Sequence, residues 1–406
     1  MRILLVHNHY KQSAGEDTVF FAEAALLESH GHIVEKLTLT NNDVNSVTEK
    51  LEAALGVIYN SKSARIVEEK ILTYKPDIIH VHNFFPLISP AVFYVAQKHH
   101  VPVVMTLHNY RLLCPSAYLH YNDRLHLENI HKTFPVQAIL DKAYRNSYFQ
   151  TTSVVLTTGI HKLLGTWQTK VDRYITLTQG GTEMFRNSSL RLRPEQLVVK
   201  PNFTTDLGEG AAEREDYFLF VGRLSPEKGV ETMLKANAAF PFKLKIIGDG
   251  PLREAVEAHA ATHPNVEYLG YQKRPRVEEE LKKAKALIFP SEWPEMFGMS
   301  IIEAFSTGTP VIATNMGGAA YLVKHNQNGL LYTPQQAAEL VKQVQLLNQN
   351  KELAAALGRE ARQEYLDKYT AEVNYQQLLD IYTDVIRKKM KPTSAITSAD
   401  FEFYKN

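Results

Sequence analysis

This sequence predicts two doubly wound α/β domains in tandem, and three observations lead there. Short runs of Val, Ile and Leu alternate with longer amphipathic stretches, the pattern of parallel strands buried on both faces and joined by helices. The rhythm resets once, at Lys200-Pro201-Asn202 and the polar stretch 204–216, and then starts again. The length, 406 residues, exceeds the usual size of a single hydrophobic core.

Taken in order, residues 3–6 read as a strand and 18–30 as a helix, followed by a strand at 33–39. Strands are expected at 77–81 and 103–107, each after a helical stretch and a proline-containing turn, and again at 154–156 and 174–177. Beyond a linker at about 201–216, strands are expected at 217–221, 244–247, 266–269, 286–289, 311–313 and 329–332. Residues 337–348 and 351–369 read as helices, and 371–390 as a last amphipathic helix with no strand after it. The expected organisation is a first domain over 1–200, a second over 201–370, the helix 371–390 and a short polar tail 391–406.

Composition narrows the function. Forty-five basic residues balance forty-four acidic ones, without the positive excess of a dedicated nucleic-acid binder. A single cysteine, Cys114, excludes an internal disulfide framework and a cysteine-rich zinc site, and fits a reducing cytoplasm. The N-terminal apolar run is too short for a secretory leader and reads as a buried strand. No stretch approaches the roughly 20 apolar residues that cross a bilayer.

The strongest motif is PSEWPEMFGMSIIEAFSTGTPVIATNMGG, from Pro290 to Gly318. It reads strand, loop, helix, turn, strand, glycine turn. Gly298 is expected to open the helix, so that the backbone N–H groups of Phe297, Gly298 and Met299 face the crevice where open α/β sheets bind ligands. A helix start with free N–H donors and a partial positive charge suits a phosphate. Glu295 and Glu303 bracket the turn, seven residues apart. A carboxylate accepts two hydroxyl hydrogen bonds at once, which suits a diol. Alone, the same pair reads more simply as a helix-start carboxylate and a solvated loop residue; the loop-helix-turn context points to a ligand.

A second motif, FVGRLSPEKGVETML, ends a strand in Gly222 and follows it with Arg223 and Lys228. A glycine there lets backbone approach a ligand, and two cations on that lip can neutralise a diphosphate. A surface salt-bridge cluster with Glu227 and Glu231 is the plainer alternative. Gly248-Asp249-Gly250-Pro251 is a tight strand-to-helix turn that could also touch a nucleotide.

In the first half, Gly15 lies in a loop that lacks the GxGxxG fingerprint. His80, His82, His108 and Asn109 fall at strand ends, where imidazoles can bind hydroxyls. His7-x-His9 and His80-x-His82 invite a metal reading. No carboxylate or cysteine ligand is evident beside them, so no metal is expected and strand-end packing accounts for most of these histidines.

With those motifs in hand, the sequence resembles glycosyltransferase family 4 of the GT-B fold class. The match rests on FVGRLSPEKGV, IIGDGP, VEYLGY and the E-x7-E segment, joined by AGEDTVF, PDIIHVHNFFPLISPAV, TLHNYRLLCP and VVKPNF in the first half. The resemblance implies two Rossmann-like domains facing a cleft, with the last helix crossing back to the first. It implies retaining, metal-independent transfer from a UDP- or GDP-sugar to a saccharide or lipid-linked acceptor. Arg223 and Lys228 would hold the diphosphate, Glu303 the ribose and Glu295 the donor sugar. The amides of Phe297, Gly298 and Met299 would contact sugar and phosphates, His108 would reach the donor sugar, and Gly222, Gly248 and Gly15 would line the ligand. Met296 stands where the family often has glycine, which bears on the identity of the donor sugar.

The expected mechanism is front-face displacement without a protein nucleophile, and without a resident cofactor. A sugar-nucleotide epimerase of similar fold and a non-catalytic sugar-binding subunit are the rivals. A glycan phosphorylase would need a pyridoxal-binding lysine and a longer chain. The acceptor is expected at Gly15, His80, His82, His108 and the segment 110–135. There Leu112, Leu113, Tyr118 and Tyr121 mix with Arg111, Arg124 and Lys132, as at the inner face of a membrane. A loop packed on its own domain is the alternative.

Overall fold

The computed structural model describes residues 1–9, 15–40, 58–122, 124–211 and 213–390. β1 (Arg2–His9), β2 (Ile33–Thr40), β3 (Ile78–Asn83) and β4 (Val103–Thr106) pair in parallel, in the order β2-β1-β3-β4. A two-residue antiparallel pair follows, β5 (His120–Tyr121) with β6 (Arg124–Leu125). β7 (Arg173–Thr176) and β8 (Leu197–Val199) extend the first sheet to six strands. The second sheet holds β9 (Phe218–Val221), β10 (Leu244–Ile247), β11 (Val266–Gly270), β12 (Ala286–Phe289), β13 (Val311–Thr314) and β14 (Gly329–Tyr332). Its order is β11-β10-β9-β12-β13-β14, parallel throughout. The doubly wound reading of both halves therefore holds.

The chain divides into two units. The first takes in Met1–Thr106, Leu164–Tyr174 and the chain from Tyr375; the second takes in Leu107–Leu163 and Ile175–Asn374. In the first, Ile3, Leu4, Leu5 and Val6 are fully buried, as expected of a strand covered on both faces. The helix Gly15–Ser29 packs Val19, Phe20, Ala24 and Leu27 inward, at the three- and four-residue spacing of one helical face. It begins three residues before the expected start at 18, so Gly15 is its first residue; Ser13 and Ala14 lie outside the described residues. The last helix, Ala371–Met390, belongs to this unit from Tyr375 onward. Tyr382 is buried with its hydroxyl 2.6 Å from His80 Nδ1, and Lys389 pairs with Asp172 at 2.9 Å.

In the second unit Phe218, Phe220, Leu244, Ile246, Ile288, Ile312 and Leu330 carry the core of the sheet, covered by Val230, Met233, Val256, Leu340 and Val344. The polar stretch before β9 is extended but anchored. Arg214 donates to the carbonyl oxygens of Lys282 (2.8 Å) and Thr307 (2.6 Å), and Asp206 pairs with Arg362 at 2.6 Å.

One element was misread. Residues 154–156, expected as a strand, lie inside the helix Tyr148–Leu163. Its β-branched run imitates a strand locally, but Thr151, Val154, Val155, Thr158 and Lys162 are buried at helical spacing. The threonine hydroxyls donate back to the preceding turn, Thr151 to Ser147 O and Thr157 to Ser153 O, each at 2.7 Å.

The turn after β10 is held against the end of β9 by glycine. Gly248 has φ +149°, and a Cβ there would lie 1.8 Å from the carbonyl oxygen of Gly222. Gly248→Ala is therefore expected to cost roughly 2–4 kcal/mol, because backbone rather than a flexible side chain must give way. Urea unfolding checks this: the midpoint should fall at constant slope, and an unchanged midpoint would mean that the turn relaxes freely.

Candidate functional site

The second sheet reverses its winding between β9 and β12: β10 lies on one side of β9 and β12 on the other. Loops leaving the C-terminal ends of two such strands diverge and open a crevice, where sheets of this kind bind ligands. Both sequence motifs arrive at that point. β9 ends at Val221 and delivers Gly222, Arg223 and the 3-10 turn Pro226–Lys228. β12 ends at Phe289 and delivers the loop that carries Glu295 to the helix Met299–Ser306, with Gly298 at its N-cap.

Close backbone contact joins the two loops. Gly229, at φ +68°, ends the 3-10 turn, and a Cβ there would lie 1.8 Å from the Pro290 carbonyl oxygen. Only glycine permits both the left-handed backbone and that approach. Next to it the Glu292 N–H donates to Glu227 O at 2.9 Å.

Side chains complete the junction. Lys228 Nζ donates to Glu295 Oε1 at 2.7 Å and lies 5.7 Å from the centre of the Trp293 ring. The Ser291 hydroxyl donates to the same carboxylate oxygen at 2.5 Å. Ser291 is buried, and its own carbonyl is held by the Thr314 hydroxyl at 2.6 Å. Arg223 Nη2 donates to Glu227 Oε1 at 2.6 Å, which also accepts from the Ser225 hydroxyl at 2.6 Å. The structure thus brings Gly222, Arg223, Lys228, Glu295, Phe297, Gly298 and Met299 onto the ends of two adjacent strands. Gly248 backs them, against Gly222. Met296 and Phe297 are buried, so Phe297 can offer a ligand its backbone rather than its ring. The first N–H groups of Met299–Ser306 have no carbonyl before them in the helix to bind.

Glu303 sits more than one turn into that helix and is half-buried. Among the described residues its carboxylate makes no hydrogen bond or ion pair. Burial pushes its pKa up to about 7, with the Arg274 guanidinium pulling weakly the other way. A buried carboxylate without donors is a site that hydroxyl groups would satisfy.

The remaining candidates come from other elements, and of these Tyr118 meets the junction, its ring centre 4.8 Å from that of Trp293. Gly15 opens its helix in the first unit, and His108 follows β4, half-buried; neither is on the β9–β12 switch point. His80 and His82 do not form a rim. Both are buried beneath the helix Gly15–Ser29, where Glu23 Oε2 lies 3.2 Å from His82 Nε2. Leu112, Leu113 and Tyr121 are likewise buried, so the apolar part of 110–135 is packed in its own unit and only Tyr118 of the four is exposed. Sequence reasoning missed Ser291, whose signal was the small polar residue directly before Glu292. It also missed the carboxylates Asp17, eight and ten residues after the histidines it meets, and Glu23, which is distant in sequence from His80 and His82.

Comparison with known proteins fits this geometry. Residues 205–364 match the family described as Glycosyl transferases group 1, and residues 37–151 match Glycosyltransferase Family 4. The chain belongs to glycosyltransferase family 4. It is similar to an uncharacterized glycosyltransferase of Methanocaldococcus jannaschii, 31% identical over 42% of this chain and 48% of that protein. It is also similar to a D-rhamnosyltransferase of Pseudomonas aeruginosa, 33% identical over 38% of this chain and 42% of that one. The match thus spans less than half of each relative. The fold is that of the Anabaena HepE crystal structure in complex with UDP, with a TM-score of 0.68 at 18% identity, covering 95% of this chain and 100% of that one. No helix among the described residues is long and apolar enough to cross a membrane.

The state of Glu303 leads to a pH prediction. Its carboxyl group holds its proton to a higher pH when folded than when unfolded. The stability this confers is complete below about pH 4.5 and is lost as pH rises through about 7. Glu303→Gln should therefore raise stability by roughly 1–3 kcal/mol at pH 8, the gain vanishing near pH 4. Thermal unfolding across that range is the check; a variant no more stable than wild type at pH 8 would place the carboxylate in open solvent.

Proposed function

We propose that this family 4 chain is a retaining, metal-independent hexosyltransferase that takes its sugar from a nucleoside diphosphate, UDP or GDP. The observation carrying this reading is the junction of Arg223, Lys228 and Glu295 with the start of the helix Met299–Ser306 at the switch point of the second sheet. The UDP complex of HepE supports a nucleotide donor on this fold.

In this reading the donor diphosphate lies on the first N–H groups of that helix. Lys228 and Arg223 turn from their carboxylate partners toward its oxygens. As the glycosidic bond breaks, negative charge grows on the leaving diphosphate, and these cations and dipoles are already fixed where it appears. Glu295, released from Lys228, accepts hydroxyl hydrogen bonds from the donor sugar, and ionised Glu303 accepts those of the ribose. The acceptor hydroxyl attacks from the face from which the leaving group departs and gives its proton to the departing diphosphate oxygen, so no protein nucleophile is needed. Two side-chain cations do the work of a divalent ion, and no Asp-x-Asp pair occurs in the chain. The names of relatives, a D-rhamnosyltransferase and a protein of a Klebsiella cps region, favour a role in polysaccharide synthesis.

A panel of UDP- and GDP-sugars read by thermal shift identifies the donor, and product analysis separates transfer from epimerisation. With that donor, Arg223→Ala and Lys228→Ala should each lower turnover by the equivalent of roughly 2–4 kcal/mol while the fold is retained. EDTA should leave turnover unchanged. Near-normal turnover in both variants rejects the diphosphate assignment, and loss with EDTA restored by magnesium rejects metal independence.

A lipid-linked acceptor is favoured by a surface other than the expected one. The helices Val136–Leu140 and Tyr148–Leu163 expose Leu140, Tyr148, Phe149, Leu156 and Leu163, with Lys142 and Arg145 between them. Exposed apolar residues beside cations suit an anionic bilayer surface. The protein should co-sediment with vesicles containing phosphatidylglycerol and not with phosphatidylcholine alone, and Phe149→Ser with Leu163→Ser should abolish this. Wild-type protein remaining in the supernatant with both vesicle types rules the membrane contact out.

A further inference from the structure

Four histidines and two carboxylates collect on one side of the first sheet, beneath the helix Gly15–Ser29. They form two groups, His7 with His9 and Asp17, and His80 with His82 and Glu23; within each, the candidate ligand atoms lie within 4.8 Å of one another. The histidine pairs arise from strand geometry, since residues two apart point to the same face. The carboxylates come from the helix, one near its start and one two turns later.

The two groups differ in a way that decides their roles. His80 is committed on both ring nitrogens, Nδ1 to the Tyr382 hydroxyl at 2.6 Å and Nε2 to Thr106 Oγ1 at 2.7 Å. All three members of its group are buried, so none of its side chains offers an ion a way in. In the other group, His7 Nε2 and His9 Nδ1 converge on a single atom, Asp17 Oδ1, at 2.9 and 2.5 Å. His9 keeps 19% of its side chain exposed, which leaves a way in. Among the described residues His7 Nδ1 meets no hydrogen-bond partner, and it can carry the ring proton while Nε2 offers its lone pair.

We propose that His7 Nε2, His9 Nδ1 and Asp17 Oδ1 form a binding site for a divalent transition-metal ion of the zinc class. Two imidazoles and one carboxylate, with a fourth position open, are a ligand set that zinc and cobalt accept. Ligand atoms about 2 Å from one ion lie within about 4 Å of each other, and the contacts at 2.9 and 2.5 Å need only a small opening to admit it. The ion would tie the end of β1 to the first turn of the following helix. All its ligands are in the first unit, so its effect is expected on the stability of that unit.

The test uses full-length protein without a polyhistidine tag, titrated with Co2+ alone. One equivalent should bind, with the strong visible absorption of low-coordinate cobalt; Zn2+ should displace it and raise the melting temperature. His9→Ala, a partly exposed position, and Asp17→Asn should each weaken binding about tenfold or more, with folding verified by circular dichroism. The double variant His259→Ala, His263→Ala, which removes two stacked histidines of the second unit, should bind normally. Absence of saturable binding by the wild type overturns the proposal, whatever the variants do. So does binding that survives in both His9→Ala and Asp17→Asn, or that disappears in the control.

Discussion

The ion pair between Lys228 and Glu295 joins two loops that leave the sheet from β9 and β12, on opposite sides of its winding reversal. Loops from such strands diverge by construction, so they meet only where something brings them together. Here the pair is backed by a buried serine hydroxyl on the same carboxylate oxygen and by main chain packed on main chain at Gly229. If the junction opened, the cations would drift from the helix start, and no fixed array would face a diphosphate. Preorganisation of this kind matters because charge on a leaving group appears faster than loops can rearrange.

The same junction explains why the cations are paired with carboxylates. A partly buried ammonium or guanidinium is costly without a counter-charge. Glu227 and Glu295 supply that charge in the free protein, and a diphosphate can replace it. Glu303 is treated in the opposite way. Among the described residues it has no donor of its own, and burial keeps its proton on to about pH 7. One helix therefore presents a compensated charge at its start and an uncompensated one inside, matching a phosphate end and a hydroxyl-rich end of one ligand.

Much of the proposed donor site is local in the sequence. Glu295, Gly298 and Glu303 follow one another through loop, cap and helix, and Arg223 and Lys228 share one short turn. Elsewhere local signals misled. The run SVVLTT is β-branched and looks like a strand, yet its inward residues recur at helical spacing. Leu112, Leu113 and Tyr121 resemble a greasy surface beside Arg111 and Lys132, but they are core. Burial is a property of the partner surface, which a sequence does not display.

The sequence by itself determined two doubly wound sheets, the strand ends at their switch points, and the charged residues at one of them. Those follow from periodicity and from short-range turn chemistry, which act over a few residues. Only the tertiary structure decided which distant groups meet. It set Asp17 against His7 and His9, and Glu23, on the covering helix, against His80 and His82. A strand fixes where its own side chains point, but the carboxylates arrive on a helix whose rotation and depth are set by packing Val19, Phe20, Ala24 and Leu27 into the core.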